Sequence, residues 1–154
     1  MNKHWTENDL ERIKKRAFKI RKTKPYHPGR EEDLQLQIAF YLRLKHSEIF
    51  FRSDFAAGIK MTIGQATKHK KMQHNRGWPD LFIAHTTSSY SGLFLELKRD
   101  KSEIYKKDGS LRENDHIKEQ DAMLNELRKR GYAATFACGY DDAIEKIEQY
   151  LNLP

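Results

Sequence analysis

The run Leu93-Phe94-Leu95-Glu96-Leu97-Lys98 places the tightest constraint on how this chain can fold. Side chains alternate across a β-strand, so Leu93, Leu95 and Leu97 line one face while Phe94, Glu96 and Lys98 line the other. Three leucines in register call for a packed layer, yet the opposite face carries two charges about 6–7 Å apart. A second run, Gly77-Trp78-Pro79-Asp80-Leu81-Phe82-Ile83, repeats the conflict. It predicts a strand over about 80–85 that opens on an acid, with Pro79 where a missing N–H does no harm.

If these two strands are neighbours in register, the Asp80 carboxylate approaches that of Glu96. Two carboxylates in a partly buried position repel one another unless a cation lies between them. A divalent metal with oxygen ligands resolves the conflict, and Mg²⁺ takes one or two protein carboxylates together with waters and substrate phosphate oxygens. Lys98 then stands where it can orient a water or stabilise hydroxide attacking phosphorus. The plainer alternative is that Asp80 caps a turn and Glu96 and Lys98 form an ordinary ion pair on a solvent-facing edge.

The rest of the chain reads as alternating elements. An amphipathic helix over 7–21 follows Thr6-Glu7-Asn8-Asp9, with Leu10, Ile13, Ala17 and Ile20 at helical spacing, and Lys24-Pro25-Tyr26-His27-Pro28-Gly29 breaks it as a linker. From Glu31 to about His46 a helix carries Leu34, Ile38, Tyr41 and Leu42 on one stripe. Ile49 to Ser53 predicts a strand, and Met61 to Gln73 a short basic helix or ordered loop. Strands over 80–85 and 93–98 are joined by the polar turn His85–Gly92. Residues 99–112, rich in Lys, Asp, Gly and Ser, read as a mobile connection. A helix over Asp115–Arg130 stops at Gly131, and a strand over Tyr132–Ala137 and a helix over Asp141–Leu151 close the chain. The order helix, three strands, helix, strand, helix implies an α/β fold with a mixed sheet covered by helices.

Charge is uneven. The net +7 is held by residues 1–30, with ten Lys or Arg against three acids, and Lys60 to Arg76 adds five basic residues and no acid. Such segments suit a polyanion, since each phosphate neutralised releases counterions, although a solvated face explains them equally well. The single cysteine, Cys138, excludes a disulfide framework and a cysteine zinc site. No apolar run reaches the length of a membrane span and Met1-Asn2-Lys3-His4-Trp5 lacks a signal-peptide core, so a soluble protein of the cytoplasm is expected.

Two further residues stand out. Gln120 lies on the apolar stripe of its helix, between Ile117 and Leu124, where a leucine would stabilise more. Its amide needs partners, supplied either by the protein core or by a ligand. Glu31 falls on the core-facing stripe with Gln35, and its acid serves either a site or simply the helix dipole.

Pro79-Asp80, fifteen intervening residues and Glu96-Leu97-Lys98 resemble the PD-(D/E)XK nuclease superfamily. The match is closer to its VRR-NUC family: Glu31-Glu32-Asp33-Leu34-Gln35 with Tyr41-Leu42 resembles the first motif, Gly77-Trp78-Pro79-Asp80 the second and Glu96-Leu97-Lys98-Arg99 the third. Gln120 with Leu124, Leu127 and Gly131-Tyr132 resembles the helix that follows. The resemblance implies a restriction-endonuclease-like αβββαβ core over 31–154, with residues 1–30 as a basic helix and linker outside it. It further implies a Mg²⁺- or Mn²⁺-dependent DNA endonuclease, selective for branched DNA such as Holliday junctions or flaps, homodimeric, and working in a bacterial or phage-infected cell. Carried over by position, Asp80 and Glu96 are metal ligands, the Leu97 carbonyl a further ligand, Lys98 the catalytic lysine, Gln120 an orienting residue and Glu31 a supporting acid, with Glu32 as its substitute. DNA is expected to run along Lys68, Lys70, Lys71 and Arg76 and along Lys14, Lys15 and Arg16. A non-catalytic DNA-binding module on the same fold and a sequence-specific restriction-type enzyme are the alternatives.

Overall fold

The computed structural model describes residues 31–53, 62–72 and 77–154. The expected helix over 7–21, with Lys14, Lys15 and Arg16, and Arg76 in the second basic segment lie outside the described residues, as do the side chains of Glu31, Glu32 and Lys70.

The first element of the described residues is helix α1 (Glu31–Lys45), which buries Leu34, Gln35, Ile38 and Leu42 at the spacing the sequence predicts. Strand β1 (Phe50–Ser53) follows, then helix α2 (Ile63–Met72). A reciprocal cap starts α2: the Gln65 N–H donates to Thr62 Oγ1 at 3.3 Å and the Thr62 N–H to Gln65 Oε1 at 3.0 Å. Strands β2 (Leu81–Ala84) and β3 (Leu93–Lys98) come next. Helix α3 (Asp115–Lys129) begins where Asn114 Oδ1 accepts the Ile117 N–H at 2.8 Å. It ends at Gly131, whose φ of 83° lets the Tyr132 N–H reach back to the Leu127 carbonyl at 3.2 Å. Strand β4 (Ala133–Cys138) leads into helix α4 (Gly139–Leu151). That helix starts two residues before the predicted Asp141, where Asp142 takes the Cys138 N–H at 2.7 Å.

The four strands lie in the order β1-β2-β3-β4, antiparallel across the first two pairs and parallel between β3 and β4. The sheet is therefore mixed, and β3 is a central strand. Leu93, Leu95 and Leu97 point to one face, where α1 and α4 cover them with Ile38, Leu42, Ala143 and Ile147. Phe94 points to the other, where α3 supplies Ile117, Met123, Leu124 and Leu127. Fully burying a side chain such as Ile38, Leu95 or Leu124 contributes roughly 1.5–3 kcal/mol, and together these contacts fix both helical layers on the sheet.

The segment expected to be a mobile connection has a structure of its own. After a short 3₁₀ turn (Lys101–Glu103), Tyr105 bridges Leu111, Lys106 N–H donates to the Ser110 carbonyl at 2.7 Å, and Arg112 N–H donates to the Ile104 carbonyl at 2.7 Å. Ile104 is fully buried among Phe94 and Ile117 and anchors the hairpin beneath α3. A lone isoleucine among charged residues has no periodicity, so no hydrophobic pattern marks it. No helix among the described residues is long and apolar enough to cross a membrane.

Candidate active site

Pairing of Leu81 with Leu95, Phe82 with Phe94 and Ile83 with Leu93 fixes the register of β2 on β3. One step beyond the ladder sets Asp80 opposite Glu96, and two steps set Pro79 opposite Leu97. In an antiparallel pair a residue's N–H and C=O face the same neighbour. The Leu97 N–H donates to Asp80 Oδ2 at 2.9 Å, so it faces β2, and the Leu97 carbonyl faces β2 with it. Proline has no N–H to return to that carbonyl. The ladder thus ends with an acceptor left over, and Lys98 Nζ reaches it at 3.2 Å.

Glu96 and Lys98 are 2% and 5% exposed, which excludes an ion pair on a solvent-facing edge. Lys98 Nζ donates to Glu96 Oε1 at 2.7 Å, and Gln120 Nε2 donates to the same oxygen. The second carboxylate, Asp80, accepts from Gln35 Nε2 at 3.0 Å through Oδ1. Asp80 is thus tied to α1 and Glu96 to α3, and the two acids meet the sheet at consecutive residues of β3. A buried ion pair seldom stabilises more than apolar groups of the same volume. Packing alone is therefore no reason for charges in the central strand.

The loop before Asp80 is locked against α3. Gly77 has φ of 75°, and a Cβ there would come within 3.1 Å of the Glu119 carbonyl oxygen and 3.3 Å of the Gln120 nitrogen. Trp78 meets Phe94 edge to face with ring centroids 5.6 Å apart. A side chain at Gly77 would push Asp80 and Gln120 apart, because backbone and helix backbone already touch.

The donor set fits a hard divalent cation. Two carboxylates and a backbone carbonyl are oxygen ligands of the kind Mg²⁺ and Mn²⁺ prefer. No group of three or more His, Cys, Asp or Glu gathers among the described residues, so a site here rests on this pair and the carbonyl. Gln120 Oε1 is buried with no hydrogen-bond partner among the described residues. An orphaned acceptor costs roughly 1–3 kcal/mol, which a ligand or ligand-borne water would recover.

The structure therefore brings together Asp80, Glu96, the Leu97 carbonyl, Lys98 and Gln120. Glu31 opens α1 one turn before Gln35. Lys68 and Lys71 are exposed on α2. Gln35 was not among the residues the sequence assigned to the site. Its signal was the one that marked Gln120, a buried amide on an apolar stripe, but its partner lies 45 residues away.

No family model matches this chain, and no curated protein does. Among solved structures, a VRR_NUC domain protein is similar, with a TM-score of 0.57 and 25% identity over 80% of this chain and 89% of that one. The mixed sheet with its helical layers and this structural match agree with the likeness to VRR-NUC proteins that the four motifs carry in order.

Proposed function

We propose that this protein is a Mg²⁺- or Mn²⁺-dependent endonuclease that hydrolyses phosphodiester bonds in DNA. The observation that carries this reading is the meeting of Asp80, Glu96, the Leu97 carbonyl and Lys98 at one end of β3, in a central strand where nothing structural calls for charge. Asp80, Glu96 and the Leu97 carbonyl would hold the cation, which when bound supplies Lewis-acid charge at the phosphate and lowers the pKa of a coordinated water. Gln35 keeps the Asp80 carboxylate aimed at the strand end. Lys98 neutralises Glu96 in the described structure and, with DNA bound, would donate to the attacking water or to a phosphate oxygen as negative charge builds there. Gln120 offers its open acceptor to a water in the site. The water adds to phosphorus, the ester P–O bond breaks, and the leaving oxygen takes up a proton.

The basic residues Lys68, Lys70, Lys71 and Arg76, together with Lys14, Lys15 and Arg16, would run along DNA phosphates. The core carries little beyond its elements for reading base edges, which favours recognition of backbone and shape, and hence branched substrates such as junctions or flaps. Leu36, Phe40 and Leu44 are exposed at i, i+4 and i+8 along α1, which supports a second copy of the chain packing there.

Purified protein incubated with labelled linear, flapped and four-way DNAs and Mn²⁺ tests the reading. Cleavage by the wild type and none by Lys98→Ala is the expected result. Equal cleavage by both proteins, or by neither, overturns it.

A further inference from the structure

Beside Lys98 a groove of about 570 Å³ opens between the 101–114 hairpin and the first turn of α3. Its lining includes Lys98, Glu103, Arg112, Asn114, His116 and Ile117. None of the catalytic assignments uses it beyond Lys98. We infer that this groove seats a backbone phosphate of the DNA strand adjacent to the one being cut, with Arg112 and His116 as its grips. This rests on the nuclease reading for the location of the cut, and it adds the contacts that position the strand.

Four observations support it. Arg112 Nε donates to the Ser102 carbonyl at 2.5 Å, which fixes the guanidinium plane while its terminal nitrogens have no partner among the described residues. His116 likewise has no hydrogen-bond partner among them. The one acid in the lining, Glu103, is paired with Arg99 Nε at 3.2 Å, so the groove keeps a positive balance. Lys98 belongs to both the groove and the candidate catalytic cluster, so the groove adjoins the place where the cut phosphate would lie.

Chemistry selects phosphate over base. Single-stranded bases are held by stacking on aromatic rings, and the lining has no Phe, Tyr or Trp. A planar guanidinium held by one bond and free at its far edge is instead suited to bidentate capture of phosphate oxygens. The hairpin is held by Ile104, so the grip is in place before DNA arrives.

The test uses the full chain with Ca²⁺ replacing Mg²⁺ for binding and Mn²⁺ for cleavage. Arg112→Ala and His116→Ala are compared with Lys129→Ala, an exposed lysine at the far end of α3. DNA affinity by fluorescence anisotropy across a salt series should lose about one unit of slope in Arg112→Ala. Cleavage by that variant should fall on the order of 10-fold, with Lys129→Ala unchanged. A set of DNAs with single neutral methylphosphonates beside the cut should contain one position that slows the wild type but slows Arg112→Ala no further.

Cleavage by the wild type with an unaltered salt slope and no such position for Arg112→Ala overturns the groove and leaves the nuclease standing. Binding with the slope lost in Arg112→Ala, but no cleavage by any protein, supports the groove as a phosphate site and overturns the nuclease. Absence of both binding and cleavage overturns both.

Discussion

Two polar clusters lie on opposite sides of the sheet and are built to different standards. Between α1 and α4, the Tyr41 hydroxyl donates to Glu148 Oε1 at 2.7 Å and His46 Nε2 lies 2.6 Å from the same oxygen, beside an apolar cluster. Under α3, Glu96, Lys98 and Gln120 are more deeply buried, and Gln120 Oε1 still lacks a partner among the described residues. The first cluster is satisfied from within the protein and acts as a clamp between helices. The second is left one partner short, as expected of a place completed from outside. Depth of burial alone would have ranked them the other way as structural features, so satisfaction is the better guide to purpose.

The contrast can be broken or sharpened by experiment. The largest effect is expected in cleavage: Asp80→Ala or Lys98→Ala should reduce the rate by 10³-fold or more in a single-turnover assay, with DNA affinity within a few-fold of wild type. Tyr41→Phe should leave the rate unchanged, and a comparable loss there would erase the distinction. Next, Lys98→Met should cost about 3–5 kcal/mol in urea unfolding because Glu96 is left buried and uncompensated, and adding Glu96→Leu should return most of it. Mn²⁺ at about 100 times its Kd should stabilise the wild type by about 2.7 kcal/mol, and Asp80→Asn should lose that gain.

Smaller effects separate the clusters most cleanly. Gln120→Leu removes the orphaned acceptor along with a donor to Glu96, so stability should shift by less than about 1 kcal/mol while cleavage falls on the order of 10-fold. Tyr41→Phe should do the reverse, costing about 0.5–1.5 kcal/mol with cleavage intact. The pH dependence of the clamp has a definite sign. The hydrogen bond to Glu148 pushes the Tyr41 hydroxyl up to about 12, so its contribution is whole below the ordinary tyrosine range and is lost as pH rises through 12. Tyr41 and His46 hold the Glu148 carboxyl below its usual range, so that contribution is present above the ordinary value and is lost as pH falls through the lowered one. Thermal melts of wild type and Tyr41→Phe should converge at both extremes.

Much of this architecture was legible in the sequence because it rests on periodicity. Leu93, Leu95 and Leu97 announced a covered face, and Asp115 and Gly131 marked the ends of α3. Asp80, Glu96, Lys98 and Gln120 were legible for the opposite reason: each interrupts a pattern that an apolar residue would have continued. What was hidden depended on distance in the chain. Gln35 gains meaning only from Asp80, and the groove at Arg112 is lined by a charged hairpin whose buried anchor is one isoleucine. The gap at Leu97 required knowing which residue of β2 lay across from it.

Gly77, pressed against the backbone of α3, has a consequence for how the molecule breathes. The acid that follows it hangs on the Leu97 amide, while the helix it touches carries the glutamine. Any opening that lifts α3 must also slacken the loop and uncover that amide. Solvent deuterium should therefore reach the Leu97 amide and the α3 amides at Glu119 and Gln120 in one shared event, so that both halves of the candidate site are lost, and regained, as a unit.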